Sequence, residues 1–211
     1  MNIKTILFYS SLLVLLIMHG VGFCGLVWGQ MQDYRDLTWL NLLITFIVFI
    51  VGGSRFDQKY LTAAILLALA GFFIEVLGVK TKLIFGNYEY THIMGTRFLT
   101  VPLIIGLNWS MLILSCAAIV NKIYSSTILK AATGASLMTL LDIVLEPIAF
   151  KYDYWQWDAK IIPLQNYVAW WMVSFIMLLA IFKFLKAPEN KMGIWVFSVQ
   201  LLFFCFLNLF G

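Results

Sequence analysis

Residues 60–79 read YLTAAILLALAGFFIEVLGV, an apolar run broken by a single ionisable side chain, Glu75. A helix rises about 1.5 Å per residue, so about 20 such residues cross the ~30 Å hydrocarbon core of a bilayer. Six further stretches have the same character, at about 5–28, 37–54, 98–120, 128–148, 166–186 and 192–210. The 211-residue chain is 63% hydrophobic and 11% charged, with a mean hydropathy of +0.94. Soluble domains carry about 25% charged residues, so a soluble globular class is excluded. The chain reads as an all-α, polytopic integral membrane protein of about seven transmembrane helices, one domain over residues 1–211. The N-terminus begins like a signal peptide, but its apolar core is long and no small-x-small site precedes Gly29. It is read as a retained first helix.

Most connections are short and polar: Gln30–Asp36, Gly53–Lys59, Asn121–Ser126 and Ala187–Lys191. Two are long, Lys80–Arg97 and Lys151–Gln165, and both are dense in Tyr, Trp, Asn and acids. With seven spans they emerge on the same side of the membrane, where they form the expected functional surface. Lys and Arg number eight on the N-terminal side (Arg55 and Lys186 among them) and six on the other. The positive-inside rule therefore puts the N-terminus in the cytoplasm.

Three carboxyls lie within the apolar runs: Glu75, and Asp142 and Glu146 in LLDIVLEPIAF, residues 140–150. An ionisable group in hydrocarbon costs roughly 2.5–3.5 kcal/mol on insertion scales, so such residues mark functional sites. Asp142 and Glu146 are four apart and share a helix face. All three fall near helix ends on the side of the long loops. Carboxyls removed from water and close to one another resist ionisation and can serve as proton donors. Pro147 removes a helix hydrogen bond next to Glu146 and is expected to open the helix there. Around the acids stand Tyr88, Tyr90, Tyr152, Tyr154, Trp155, Trp157, Trp170 and Trp171. They fit an interfacial aromatic belt, and equally a pocket whose ring faces shelter a cation. Asn87, Asn108 and Asn166 fit either interhelical hydrogen bonding or the orientation of water.

A faint internal repeat runs through this region. Glu75, Tyr88/Tyr90, Pro102 and Asn108-Trp109 are echoed by Asp142, Trp155/Trp157, Pro163, Asn166 and Trp170. Duplicated halves often build a site at their interface. His19 and His92 lack metal-ligand spacing, and Cys24, Cys116 and Cys205 are scattered through apolar segments. No metal site, nucleotide loop, nucleophile elbow or Cys-x-x-Cys pair is present. The net charge of +4 is spread over short loops, with no basic run for nucleic acid. The last helix has no Lys for a retinal Schiff base.

The pattern Glu75-x-x-Gly78-x-Lys80-Thr81, Phe85-Gly86-x-Tyr88-x-Tyr90-Thr91, Gly95 and Val101-Pro102-Leu103 resembles the carotenoid hydratase family of bacterioruberin- and myxol-type pathways. So does Asp142-x-x-x-Glu146-Pro147-x-Ala149, followed by Trp155-x-Trp157, Ile162-Pro163 and Asn166-Tyr167-x-x-Trp170. The resemblance covers residues 70–175 and departs at Ala169, where Gly is expected, and at Glu146, where many relatives carry Asp. It implies hydration of a terminal C=C bond of a linear carotenoid, within the bilayer of a bacterial or archaeal cell, to a tertiary alcohol. In that reading Glu75, Asp142 and Glu146 are catalytic, and Tyr88, Tyr90, Trp155, Trp157, Asn166 and Trp170 line the substrate pocket. Asp142 or Glu146 is then the acid and Glu75 orients water or shares the proton. The chemistry calls for no metal, nucleotide or redox cofactor. A carotenoid cyclase begins with the same protonation and is the nearest rival. A small proton-coupled transporter would need polar residues along a path across the membrane, and a lipid-binding scaffold would need no chemistry from the acids.

Overall fold

The computed structural model describes residues 2–29, 31–53, 57–158, 160–185 and 189–211. Arg55 and Lys186, which enter the charge count above, lie outside the described residues, as do parts of three of the short connections. The helices are α1 (Ile3–Trp28), a short α2 (Met31–Arg35), α3 (Thr38–Gly52), α4 (Gln58–Thr81), α5 (Leu103–Val120), α6 (Thr127–Lys151), α7 (Leu164–Phe184) and α8 (Gly193–Phe210). The short strands are β1 (Tyr88–Tyr90), β2 (Arg97–Phe98), β3 (Val101–Pro102) and β4 (Trp155–Trp157). With α2 continuing into α3, seven helices among the described residues are long and apolar enough to cross a membrane. The protein is an integral, multi-pass membrane protein.

Local chemistry sets the helix starts. Asp57 accepts a hydrogen bond from the Tyr60 backbone N–H, and Ser126 accepts one from Leu129. Pro102 and Pro163 precede α5 and α7, where their fixed φ and missing N–H cost the helix nothing. Pro147 does not end its helix. α6 runs through it to Lys151, because the packing of its flanks outweighs one missing hydrogen bond.

The helix at the centre is α5, with 14 of its 18 residues buried. It packs against α3, α4, α6, α7 and α8, as a helix apolar on all sides must. Its closest neighbour is α4. A Cβ on Gly71 would sit 2.3 Å from Cβ of Trp109, and one on Gly106 would sit 2.5 Å from the Ala68 carbonyl oxygen. Small residues facing each other let the two backbones approach. That approach docks the Trp109 turn of α5 onto the Glu75 turn of α4.

The two long loops meet. β1 and β4 pair antiparallel, with Tyr88 opposite Trp157, Glu89 opposite Gln156 and Tyr90 opposite Trp155. The ladder continues at both ends, through Thr91 N to Tyr154 O at 3.1 Å and Asp158 N to Asn87 O at 3.1 Å. Side chains alternate across a strand, so each strand sends its two outer residues inward and its middle residue outward. The burial of Tyr88, Tyr90, Trp155 and Trp157 follows that alternation.

Candidate functional site: an acid chamber beneath a two-stranded cap

Glu75 is buried on α4 under β1 and accepts three hydrogen bonds. The Tyr88 and Tyr90 hydroxyls donate to its Oε2, the latter at 2.9 Å, and Trp109 Nε1 donates to Oε1 at 2.9 Å. Burial first, and the Glu75 carboxylate next, hold both phenols well above their usual pKa. They therefore stay O–H donors at physiological pH and do not compete as bases.

Glu146 is buried on α6 under β4 and mirrors this arrangement. Trp155 Nε1 and Trp157 Nε1 donate to its Oε2 at 3.0 and 2.8 Å. Its Oε1 is held less tightly, by Asn166 Nδ2 of α7 at 3.3 Å. An indole N–H can only donate, so the two tryptophans address Glu146 as an acceptor and leave Oε1 as the freer oxygen. The same Asn166 nitrogen lies 2.7 Å from Oδ2 of Asp142. Asp142 is 1% exposed, and its Oδ1 has no hydrogen-bond partner.

The internal repeat is therefore real in space but runs in a different register from the one read along the chain. The counterpart of Glu75 is Glu146, because each is gripped by the paired aromatics of its own strand. Asp142 corresponds instead to Gly71, one helical turn earlier. The second halves align on their prolines, which precede Trp109 and Trp170 by the same seven residues. Those two indoles stack on each other at 4.3 Å and 22°, closing the chamber between the halves. Tyr88 and Trp157 pack at 5.1 Å, and Tyr90 and Trp155 at 5.7 Å.

Between the halves lies a cavity of about 170 Å³. Glu75, Glu146, Asn108, Asn166, Tyr88, Tyr90, Trp109, Trp155, Trp157 and Trp170 all line it. Of the three acids, Glu75 and Glu146 face this space, whereas Asp142 is not among its lining residues and reaches it through Asn166. The six residues expected to bind substrate, Tyr88, Tyr90, Trp155, Trp157, Asn166 and Trp170, are on the wall, whereas Tyr152, Trp171 and Asn87 are not among its lining residues.

The cavity extends beyond the repeat. Met18, His19 and Gly22 of α1, Thr38 and Asn41 of α3, and Gln200 and Phe203 of α8 also line it. These are helices in which the sequence shows no signature. Their legible signal is a bulky polar side chain within an apolar run: His19, Asn41 and Gln200. Trp109 was visible as part of the repeat, but its hold on Glu75 is a contact across 34 residues. From the loop side Tyr154, also on the wall, shares a hydrogen bond of 2.8 Å with Thr38 and ties the start of α3 to the cap. Burial pushes its phenol up to about 12.

Arrangements of three or more His, Cys, Asp or Glu suited to a metal ion are absent among the described residues. What the chamber offers chemically is two carboxyls, four amides and aromatic faces in a small, mostly apolar space.

Comparison with known proteins places these features. The family described as "Carotenoid biosynthesis protein" matches residues 37–210, well over half of the chain. A bisanhydrobacterioruberin hydratase of Haloarcula japonica is 29% identical over 123 residues. That match covers 54% of this chain and 42% of the relative, so the chain matches less than half of the relative's length. No solved structure matches the chain.

Proposed function

The chain belongs to the carotenoid biosynthesis protein family, and from that premise we propose that it hydrates the terminal C=C bond of an acyclic carotenoid. The observation that carries the reading is the pair of carboxyls, Glu75 and Glu146, facing one aromatic cavity from opposite halves of a duplicated cap. Adding water to an isolated trisubstituted alkene needs a positioned acid, shelter for a tertiary cation, and a seated water with a base.

Glu146 is the acid. Of the two carboxyls that face the cavity, it carries the oxygen held least tightly, Oε1, 3.3 Å from Asn166 Nδ2. Its O–H proton goes to the less substituted alkene carbon, and the π electrons form the new C–H bond. The tertiary cation that results lies among Tyr88, Tyr90, Trp155, Trp157, Trp109 and Trp170. Each ring face lowers its energy by about 0.5–2 kcal/mol. A water oxygen then forms the C–O bond, and the proton it releases passes to Glu75. Glu75 holds firm donors on both oxygens, where Glu146 Oε1 has only a 3.3 Å contact, and so suits the acceptor-only carboxylate that a base requires. Asp142 acts through Asn166, fixing the amide that touches Glu146. At the end of a turnover the two glutamates have exchanged protonation states, and proton exchange through water resets them.

Cavity size supports an end-on pose. A cavity of ~150 Å³ holds a benzene-sized guest, so about 170 Å³ takes a branched end group and not a whole polyene. The rest of the chain lies along the apolar helices in the bilayer.

The test is expression in a bacterial host that makes acyclic carotenoids, followed by mass spectrometry of the extracted pigments. The expected result is a product heavier by one water, lost with Glu146→Gln. A product of unchanged mass with a new ring would assign a cyclase instead. Unchanged pigments beside well-expressed protein would end the enzymatic reading.

A further inference from the structure

Resting on the hydratase reading, we propose that Asn108 seats the water that captures the cation and so decides between hydration and loss of a proton. Five buried polar side-chain atoms among the described residues lack a hydrogen-bond partner: Arg35 Nε, Asn108 Oδ1, Ser115 Oγ, Asp142 Oδ1 and Ser174 Oγ. Of these residues, Asn108 alone lines the acid cavity. Buried polar atoms are nearly always satisfied, so an orphan in a functional cavity points to a group the chain itself does not supply.

The chemistry of the orphan atom narrows that group. An amide oxygen can only accept, so its partner brings a hydrogen: a water or a hydroxyl, and not an alkene. The two carboxyls on the wall and the amide nitrogen beside them are already engaged. Both oxygens of Glu75 hold donors, as do both of Glu146, and Asn166 Nδ2 is shared between Asp142 and Glu146. Asn108 also sits in the right turn. Its neighbour Trp109 donates to Glu75 at 2.9 Å, so this turn of α5 is the one docked on the proposed base. A water that donates one hydrogen to Asn108 Oδ1 and the other towards Glu75 keeps a lone pair free for the cation. C–O bond formation and transfer of the released proton to Glu75 then follow without rearrangement. After reaction the same oxygen accepts from the product hydroxyl.

Without that seat the cation has another exit. It returns a proton from an adjacent methyl group to a carboxylate, which regenerates an alkene. In D2O this cycle places deuterium in the recovered carotenoid, so protonation and water capture can be read separately. The experiment uses membranes containing the full chain, incubated in D2O with a linear carotenoid bearing isopropylidene ends, and compares wild type with Asn108→Leu and Asn108→Asp. For Asn108→Leu the ratio of alcohol to deuterated alkene is expected to fall roughly tenfold, about the effect of one well-formed hydrogen bond. Deuterium incorporation itself should continue. Asn108→Asp keeps an oxygen at the position and should restore the ratio to within about threefold.

An unchanged ratio in Asn108→Leu overturns the proposal, since the water is then held elsewhere. Equal loss of alcohol and deuterium also overturns it, by showing that the residue serves protonation or folding. If wild-type membranes form no alcohol, the hydratase reading falls and takes this proposal with it. An unchanged ratio in a hydrating wild type sinks the role of Asn108 alone.

Discussion

Replacing Glu146 by Gln should nearly abolish turnover while leaving the fold almost intact, and replacing Asp142 by Asn should leave both the fold and much of the turnover. Both indoles that hold Glu146 converge on one oxygen, at 3.0 and 2.8 Å. A glutamine carbonyl can keep both of those bonds. Its amide nitrogen then meets Asn166 Nδ2 where Oε1 stood at 3.3 Å, so one weak hydrogen bond is lost and two donors face each other. The stability cost is about 1–2 kcal/mol. The catalytic cost is that of a missing general acid, about 10²–10⁴ in rate, or roughly 3–5 kcal/mol of barrier. Asp142→Asn keeps an oxygen to accept from Asn166 across the present 2.7 Å, so that hydrogen bond survives. That change costs about 1 kcal/mol and slows turnover by roughly tenfold at most. The assay is the rate of alcohol formation in membranes by mass spectrometry, beside thermal unfolding of the purified protein in detergent. If Asp142→Asn is as inactive as Glu146→Gln at equal stability, the assignment of the acid is wrong. So it is if Glu146→Gln keeps more than about a tenth of the wild-type rate.

Two further outcomes follow from the packing and the cap. Gly71→Ala drives a methyl group to 2.3 Å from Trp109 Cβ, so α4 and α5 must separate. It should cost about 1–3 kcal/mol by thermal unfolding and also lower turnover, because the same shift pulls Trp109 off Glu75. Tyr88 and Tyr90 titrate above the ordinary phenol value of about 10 in the fold, through burial and then the Glu75 charge. Their stabilising contribution is thus complete below pH ~10 and is lost as the pH climbs through their raised folded values. Alkaline unfolding should therefore move to higher pH in Tyr88→Phe/Tyr90→Phe; an unmoved midpoint would show that these phenols do not govern it.

The sequence by itself determined the membrane class, the seven spans and the side on which the site lies. Those are properties of each segment against the bilayer: twenty apolar residues insert as a helix whatever their neighbours, and an acid within them marks a depth. The aromatic pairs and prolines were legible because strands and helix starts impose short local spacings. What the tertiary structure decided depends on contacts between distant residues. Asp142 and Glu146 share a face by periodicity and both meet Asn166 of α7, yet only Glu146 lines the cavity. The repeat register came from the pairing of Tyr88 with Trp157, 69 residues apart, and from the Trp109–Trp170 stack. α1, α3 and α8 became cavity walls through packing alone, since hydropathy cannot distinguish a side chain facing lipid from one facing an internal space. A bilayer and a protein interior are equally apolar, so the sequence places helices in the membrane and only their mutual packing builds the chamber.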